Sequence, residues 1–138
     1  MRKKTKNHRQ EVYSYVQDYK KRFGIEGFKY TIKFIRGEEA KDYYAEVVMT
    51  RNKIALSMNE DLMDSDPSSI HDTIVHELLH VVFYKMMDYT TSMIARHVRR
   101  ALTRKKLELK ISKLEHGIIA KLTPAFVQHS NRKNTEKK

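Results

Sequence analysis

Apolar residues recur along this chain with two different periods, and the changes of period outline its elements. Over residues 10–23, Val12, Tyr15, Val16, Tyr19 and Phe23 fall at helical spacing, and Gly24 follows where helices commonly end in a left-handed residue. The spacing predicts an amphipathic helix. In FKYTIKFI (28–35), Phe28, Tyr30, Ile32 and Phe34 alternate with Lys29, Thr31 and Lys33, the two-residue period of a strand with one buried face. YYAEVVMT (43–50) and KIALS (53–57) flank Arg51-Asn52 and read as a β-hairpin. Acids, serines and Pro67 then mark a loop and a helix start, with Asp66 as the cap and Pro67 in the first helical position. From about Pro67 to Met87 apolar residues lie nearly all round the helix, which predicts a central, buried element. Thr90, Thr91 and Ser92 offer a further cap. A stripe through Met93, Ile94, His97, Val98, Ala101, Leu102, Lys105 and Leu109 follows, continued by Ile111, Leu114, Ile118, Ile119 and Leu122, and Thr123-Pro124 is expected to end the run. One bent helix or two would fit this stretch equally.

Strands grouped ahead of helices predict an α+β fold. The expected order is an N-terminal helix, a small three-stranded antiparallel sheet, the central helix and one or two C-terminal helices. The length of 138 residues suits one domain with one core. We place that domain at 10–125, between a basic tail at 1–9 and a basic, flexible tail at 126–138.

The chain contains no cysteine, which excludes disulfides, cysteine-ligated metals and a cysteine nucleophile. No apolar segment follows the basic MRKKTKNHRQ, so a secretory leader is not expected, and no stretch is apolar and long enough to span a bilayer. A cytoplasmic protein with no membrane partner is the expectation. The formal net charge is +11, and it is unevenly spread. Residues 1–9 carry five basic groups and no acid, and residues 96–113 carry eight basic groups against Glu108. Residues 10–95 are mildly acidic. The basic segment 96–113 and the tails read either as a solvated surface or as a nucleic-acid contact.

The candidate chemistry lies in the most apolar stretch, TIVHELLHVVF (73–83), which His76, Glu77 and His80 interrupt. Burying such groups is costly unless something satisfies them. On a helix, His76 and His80 at i and i+4 share one face about a turn apart, and two imidazoles there can share one Zn²⁺. Glu77, beside them, is placed to act as general base on an attacking water. Together they form the H-E-x-x-H pattern. A catalytic zinc usually takes three protein ligands. Positions 83 and 86 are Phe and Met, so the third ligand is not close by in sequence. Glu115 in KLEHGIIAKL (113–122) is favoured, because it shares a helix face with Ile118, Ile119 and Leu122. His116 is the alternative, followed by His97 and Asp88. Tyr84, one turn after His80, or Tyr89 is a candidate hydrogen-bond donor to an oxyanion, although a tyrosine there more simply belongs to the core. His97 reads as a core-edge histidine.

TIVHELLHVVF followed some 35 residues later by LEHGIIAKL resembles the zincin metallopeptidases with a glutamate ligand. It is similar to the small H-E-x-x-H proteins of phages and bacterial mobile elements. The resemblance implies a zincin-like fold, His76, His80 and Glu115 as zinc ligands, Glu77 as catalytic base, and a protein or peptide substrate held along an edge strand. One departure stands out. Classical members carry Asp four residues after the ligand Glu, where this chain has Ile119. The carboxylate that orients a zinc histidine must then come from elsewhere, with Asp72 as a candidate, or be missing. Two further readings stay open. SprT-like and ImmA/IrrE-like proteins also carry the motif and act around nucleic acid, and an inactive relative would use zinc only to stabilise a binding protein.

Overall fold

The computed structural model describes residues 8–40 and 42–136, with side chains as far as 128. Residues 1–7 of the expected N-terminal tail, and 137–138 of the C-terminal one, lie outside that range. The elements run α1 (His8–Arg22), β1 (Lys29–Ile35), β2 (Ala45–Thr50), β3 (Lys53–Asn59), α2 (Glu60–Ser65), α3 (Ile70–His97) and α4 (Ala101–Glu136), with single 3-10 turns before β2 and before α3. The fold is α+β. Its contacts divide it into two units, Met1–Leu78 and Leu79–Lys138, with the boundary inside α3.

In the first unit, α1 buries Val12, Val16 and Tyr19, the i, i+4, i+7 face that the spacing marks out. It ends at Gly24, φ 65°. The Ile25 amide donates to Lys20 O at 3.0 Å and the Gly24 amide to Lys21 O at 3.2 Å, the paired bonds of a Schellman cap. The sheet order is β1-β3-β2, with β2 antiparallel and β1 parallel to β3. This corrects the expectation of an antiparallel sheet. The hairpin is as expected, Thr50 pairing with Lys53 across Arg51-Asn52. The chain leaving β1, however, crosses the end of β3 and starts β2 on its far side, since both Ile35 and Ala45 register near the end of β3, at Asn59 and Met58. Alternation fixes which face of a strand is buried. It does not fix the neighbour. As the middle strand, β3 buries deepest, through Ile54, Leu56 and Met58.

Three boundaries differ from the pattern reading. The acidic loop contains the short helix α2, because Asn59 accepts from the Leu62 amide at 3.1 Å and caps it. The hydroxyl of Thr90 donates back to Met86 O at 2.8 Å, so it supports α3 rather than capping a new helix. The break comes instead at residues 98–100. Pro124 lies inside α4, which continues to Glu136. An interior proline removes its own amide from the ladder and crowds the carbonyl four residues earlier, yet α4 runs through it, and the Thr123 hydroxyl next to it donates to Ile119 O at 2.8 Å.

Glu60, 6% exposed, anchors the first unit electrostatically. Arg9 reaches it from α1 through Nη2 at 2.5 Å and Nε at 3.2 Å, and Arg36 reaches it at 3.1 Å. These bonds hold its carboxyl below the usual range. His71 ties α3 to α1. Its Nε2 lies 2.6 Å from the Tyr19 hydroxyl and its ring stacks on Tyr15 at 4.4 Å and 6°. Burial pushes the imidazole below its ordinary 6.5, so the neutral ring is the folded form. As pH falls below about 6.5 the unfolded chain takes up this proton first. The stability that His71 contributes is therefore whole above that pH and is lost as pH falls toward the depressed folded value. Urea midpoints at pH 7.5 and 5.0 should drop further for the wild type than for His71→Asn. Equal drops would remove His71 as the cause.

Candidate metal centre

Helix α3 carries the motif. Its first half is packed with stiff and branched side chains, Ile70, Ile74, Val75, Leu78, Leu79 and Val81 being buried. His76, Glu77 and His80 are half-buried. The helix is less enclosed than its composition predicts, since Val82, Met86 and Tyr89 are exposed. The i and i+4 spacing of His76 and His80 is preserved, as α3 is continuous across both.

In the second unit, Glu115 on α4 reaches His80. Its Oε1 lies 2.9 Å from His80 Nδ1, with the two side chains 13% and 14% exposed. A carboxylate oxygen accepts, so Nδ1 is the nitrogen that donates. Two ligands of one tetrahedral zinc stand roughly 3.3 Å apart, given bonds of about 2.0–2.1 Å. At 2.9 Å the pair is a hydrogen bond, the contact that typically orients a metal-binding histidine. Glu115 is thus the carboxylate that meets His80. Asp72, the other candidate, is exposed.

His116 is exposed, and its ring meets His80 edge-on at 4.9 Å and 62°. Its Nδ1 donates to Ser112 O at 2.8 Å. Asp88 and His97 are exposed on α3. They lie about 12 and 25 Å along the helix from His80 at 1.5 Å per residue, too far to share a metal ion with it. This departs from the core-edge reading of His97. Tyr84 is half-buried and Tyr89 exposed. Among the described residues no three histidine or acidic side chains are gathered closely enough to hold a metal ion. What fits zinc is the donor chemistry, two imidazoles at i and i+4 of one continuous helix.

Sequence reasoning singled out Glu115 as the third ligand, the residue whose carboxylate meets His80. It missed an apolar pocket of about 130 Å³ in the second unit, lined by α3 and α4 residues including Phe83, Met87, Ile111 and Glu115. The available signal was the two facing stripes, 83–87–90 and 111–115–118, each at i, i+4, i+7 spacing.

Among the described residues, no helix is long and apolar enough to cross a membrane. No protein-family model, curated protein or solved structure matches the chain.

A neutral His80 bonded to Glu115 should appear in a long-range ¹H–¹⁵N spectrum as the Nδ1–H tautomer. Glu115→Ala should shift it toward the Nε2–H form that predominates in free imidazole side chains. An unchanged tautomer in the variant would show that Glu115 does not orient the ring.

Proposed function

We infer that the chain is a zinc-dependent, zincin-like peptidase that hydrolyses a peptide bond in a cytoplasmic protein or peptide. The observation that carries this reading is the His80–Glu115 hydrogen bond beside an H-E-x-x-H helix. It engages Nδ1 of His80 in the kind of carboxylate contact that orients a metal-binding histidine. His76 and His80 would hold the ion, with Glu115 orienting His80 and His116 next to it as a further donor. Zinc, when bound, supplies a Lewis acid that polarises a carbonyl and lowers the pKa of water toward about 7.

The protein's own groups carry the proton. Glu77 takes it from the attacking water as oxygen bonds to the carbonyl carbon. It then returns it to the amide nitrogen as the C–N bond breaks, leaving a carboxylic acid and an amine, and the acid's proton passes to the amine to give carboxylate and ammonium. The Tyr84 hydroxyl donates to the oxygen that becomes negative in between. Purified protein should bind close to one zinc per chain. Glu77→Gln should keep the zinc and lose activity by about 10²–10⁴-fold, the usual contribution of a general base. A chain that binds no divalent metal would sink this reading. Active wild type with an equally active Glu77→Gln would remove the glutamate from the mechanism. If zinc binds and only stabilises the fold, with no hydrolysis by either form, the inactive reading takes its place.

A nucleic-acid contact is favoured by a separate observation. In the segment 96–113, Arg96, Arg99, Arg100, Lys105, Lys106, Lys110 and Lys113 are all exposed, and Arg104 is half-buried. Cations that neutralise phosphates release counterions, so affinity falls with salt by a slope near 0.9 per contact for duplex DNA. The triple variant R99A/R100A/R104A should weaken duplex binding and flatten that slope by about two to three. Identical slopes in variant and wild type would assign these residues to solvation alone.

A further inference from the structure

We propose that the apolar pocket beside Glu115 seats one large apolar side chain of the polypeptide substrate, so that the protein selects Phe, Leu or Met next to the bond it cuts. This rests on the peptidase reading, although the pocket itself is tested separately below. The pocket belongs wholly to the second unit. Phe83, Met86, Met87 and Thr90 of α3 and Ile111, Leu114, Glu115 and Ile118 of α4 line it. Glu115 is the one charged group in that lining, and His80 already engages it. Whatever enters the pocket meets apolar surface and a carboxylate that is committed elsewhere, so a charged or amide side chain gains nothing there.

Size names the occupant. At about 130 Å³ the pocket is close to a 150 Å³ engineered cavity that binds benzene. A phenyl ring or a leucyl group is of that order, whereas a methyl group would leave most of the pocket unfilled. Met86 and Met87 are unbranched and adaptable, which suits a pocket that accepts both ring and aliphatic shapes. The rim is open, with Met86 55%, Leu114 60% and Ile118 46% exposed. A second copy of the chain is a poor cover for it. Exposed Lys110 and Lys113 adjoin the lining residues Ile111 and Leu114 in sequence, and a two-fold interface would bring those charges against their own copies.

The test uses one set of acetylated, amidated hexapeptides that differ only in a central Phe, Leu, Ala or Lys. Each is first titrated, without added metal, into protein carrying ¹³C-methyl methionine. The Phe and Leu peptides should move the Met86 and Met87 methyl signals, while the Ala and Lys peptides leave them in place. Digestion by zinc-loaded protein should then cut beside Phe or Leu with kcat/KM at least about 10-fold above the Ala peptide, since even one methylene is worth about that much in an apolar pocket. Ile118→Asp, a change on the exposed rim, should abolish both the methyl shifts and the preference. Equal shifts from all four peptides, or none, would overturn the proposal. So would methyl signals that respond to protein dilution rather than to peptide, the mark of a self-associating face. Cutting without preference would overturn it and leave the peptidase reading standing. Selective shifts with no cutting would overturn that reading while retaining the pocket as a binder of apolar side chains.

Discussion

The hydrogen bond between His80 and Glu115 is the contact on which the candidate centre depends. Two titratable groups, each less than 15% exposed, are costly to keep away from water unless they satisfy each other. Doing so fixes more than energy. It sets the tautomer of His80, and within the second unit it sets the register between the two helices. Successive residues of a helix are turned by about 100°, so advancing α4 by one position would swing Glu115 off His80 and bring Leu114 or His116 toward it. The register that pairs the carboxylate with the imidazole is also the register that brings Ile111, Leu114 and Ile118 opposite Phe83, Met86 and Met87. Polar pair and apolar pocket are therefore two results of one alignment.

Local chemistry was legible in the sequence, and contacts between distant segments were not. The Schellman end of α1 follows from a single glycine, and the hairpin from two turn residues between alternating runs. The motif helix follows from its apolar density. Each of these is decided within a few residues. The parallel pairing of β1 with β3 is decided by where a nine-residue connection carries the chain, and the alternation of FKYTIKFI is the same whichever neighbour it has. Glu60 illustrates the same limit. Nothing in MNEDLMDS distinguishes it from its acidic neighbours, and its burial depends on arginines 51 and 24 positions away. The helix breaks were misplaced for a subtler reason. Thr90 and Thr123 both have the chemistry of helix caps, but each turns its hydroxyl back onto the carbonyl four residues earlier, a competition that composition alone does not decide.

Helix α3 changes character along its length, and the change separates two tasks. Up to Val81 its buried positions are isoleucine, valine and leucine, side chains with few rotamers packed against a core. Such a segment holds His76, Glu77 and His80 in fixed directions, as chemistry on a positioned proton requires. Beyond it the helix turns to Met86, Met87 and Met93, with Met86 largely in solvent. Methionine specifies shape poorly and adapts to what it meets. Had the order been reversed, with methionines supporting the imidazoles and β-branched residues lining the pocket, the motif side chains would be loosely aimed and the pocket rigid. The sequence places the stiff residues around the H-E-x-x-H positions and the soft ones along the apolar pocket. That division is what the proposed peptidase would need, fixed motif side chains beside an adaptable pocket.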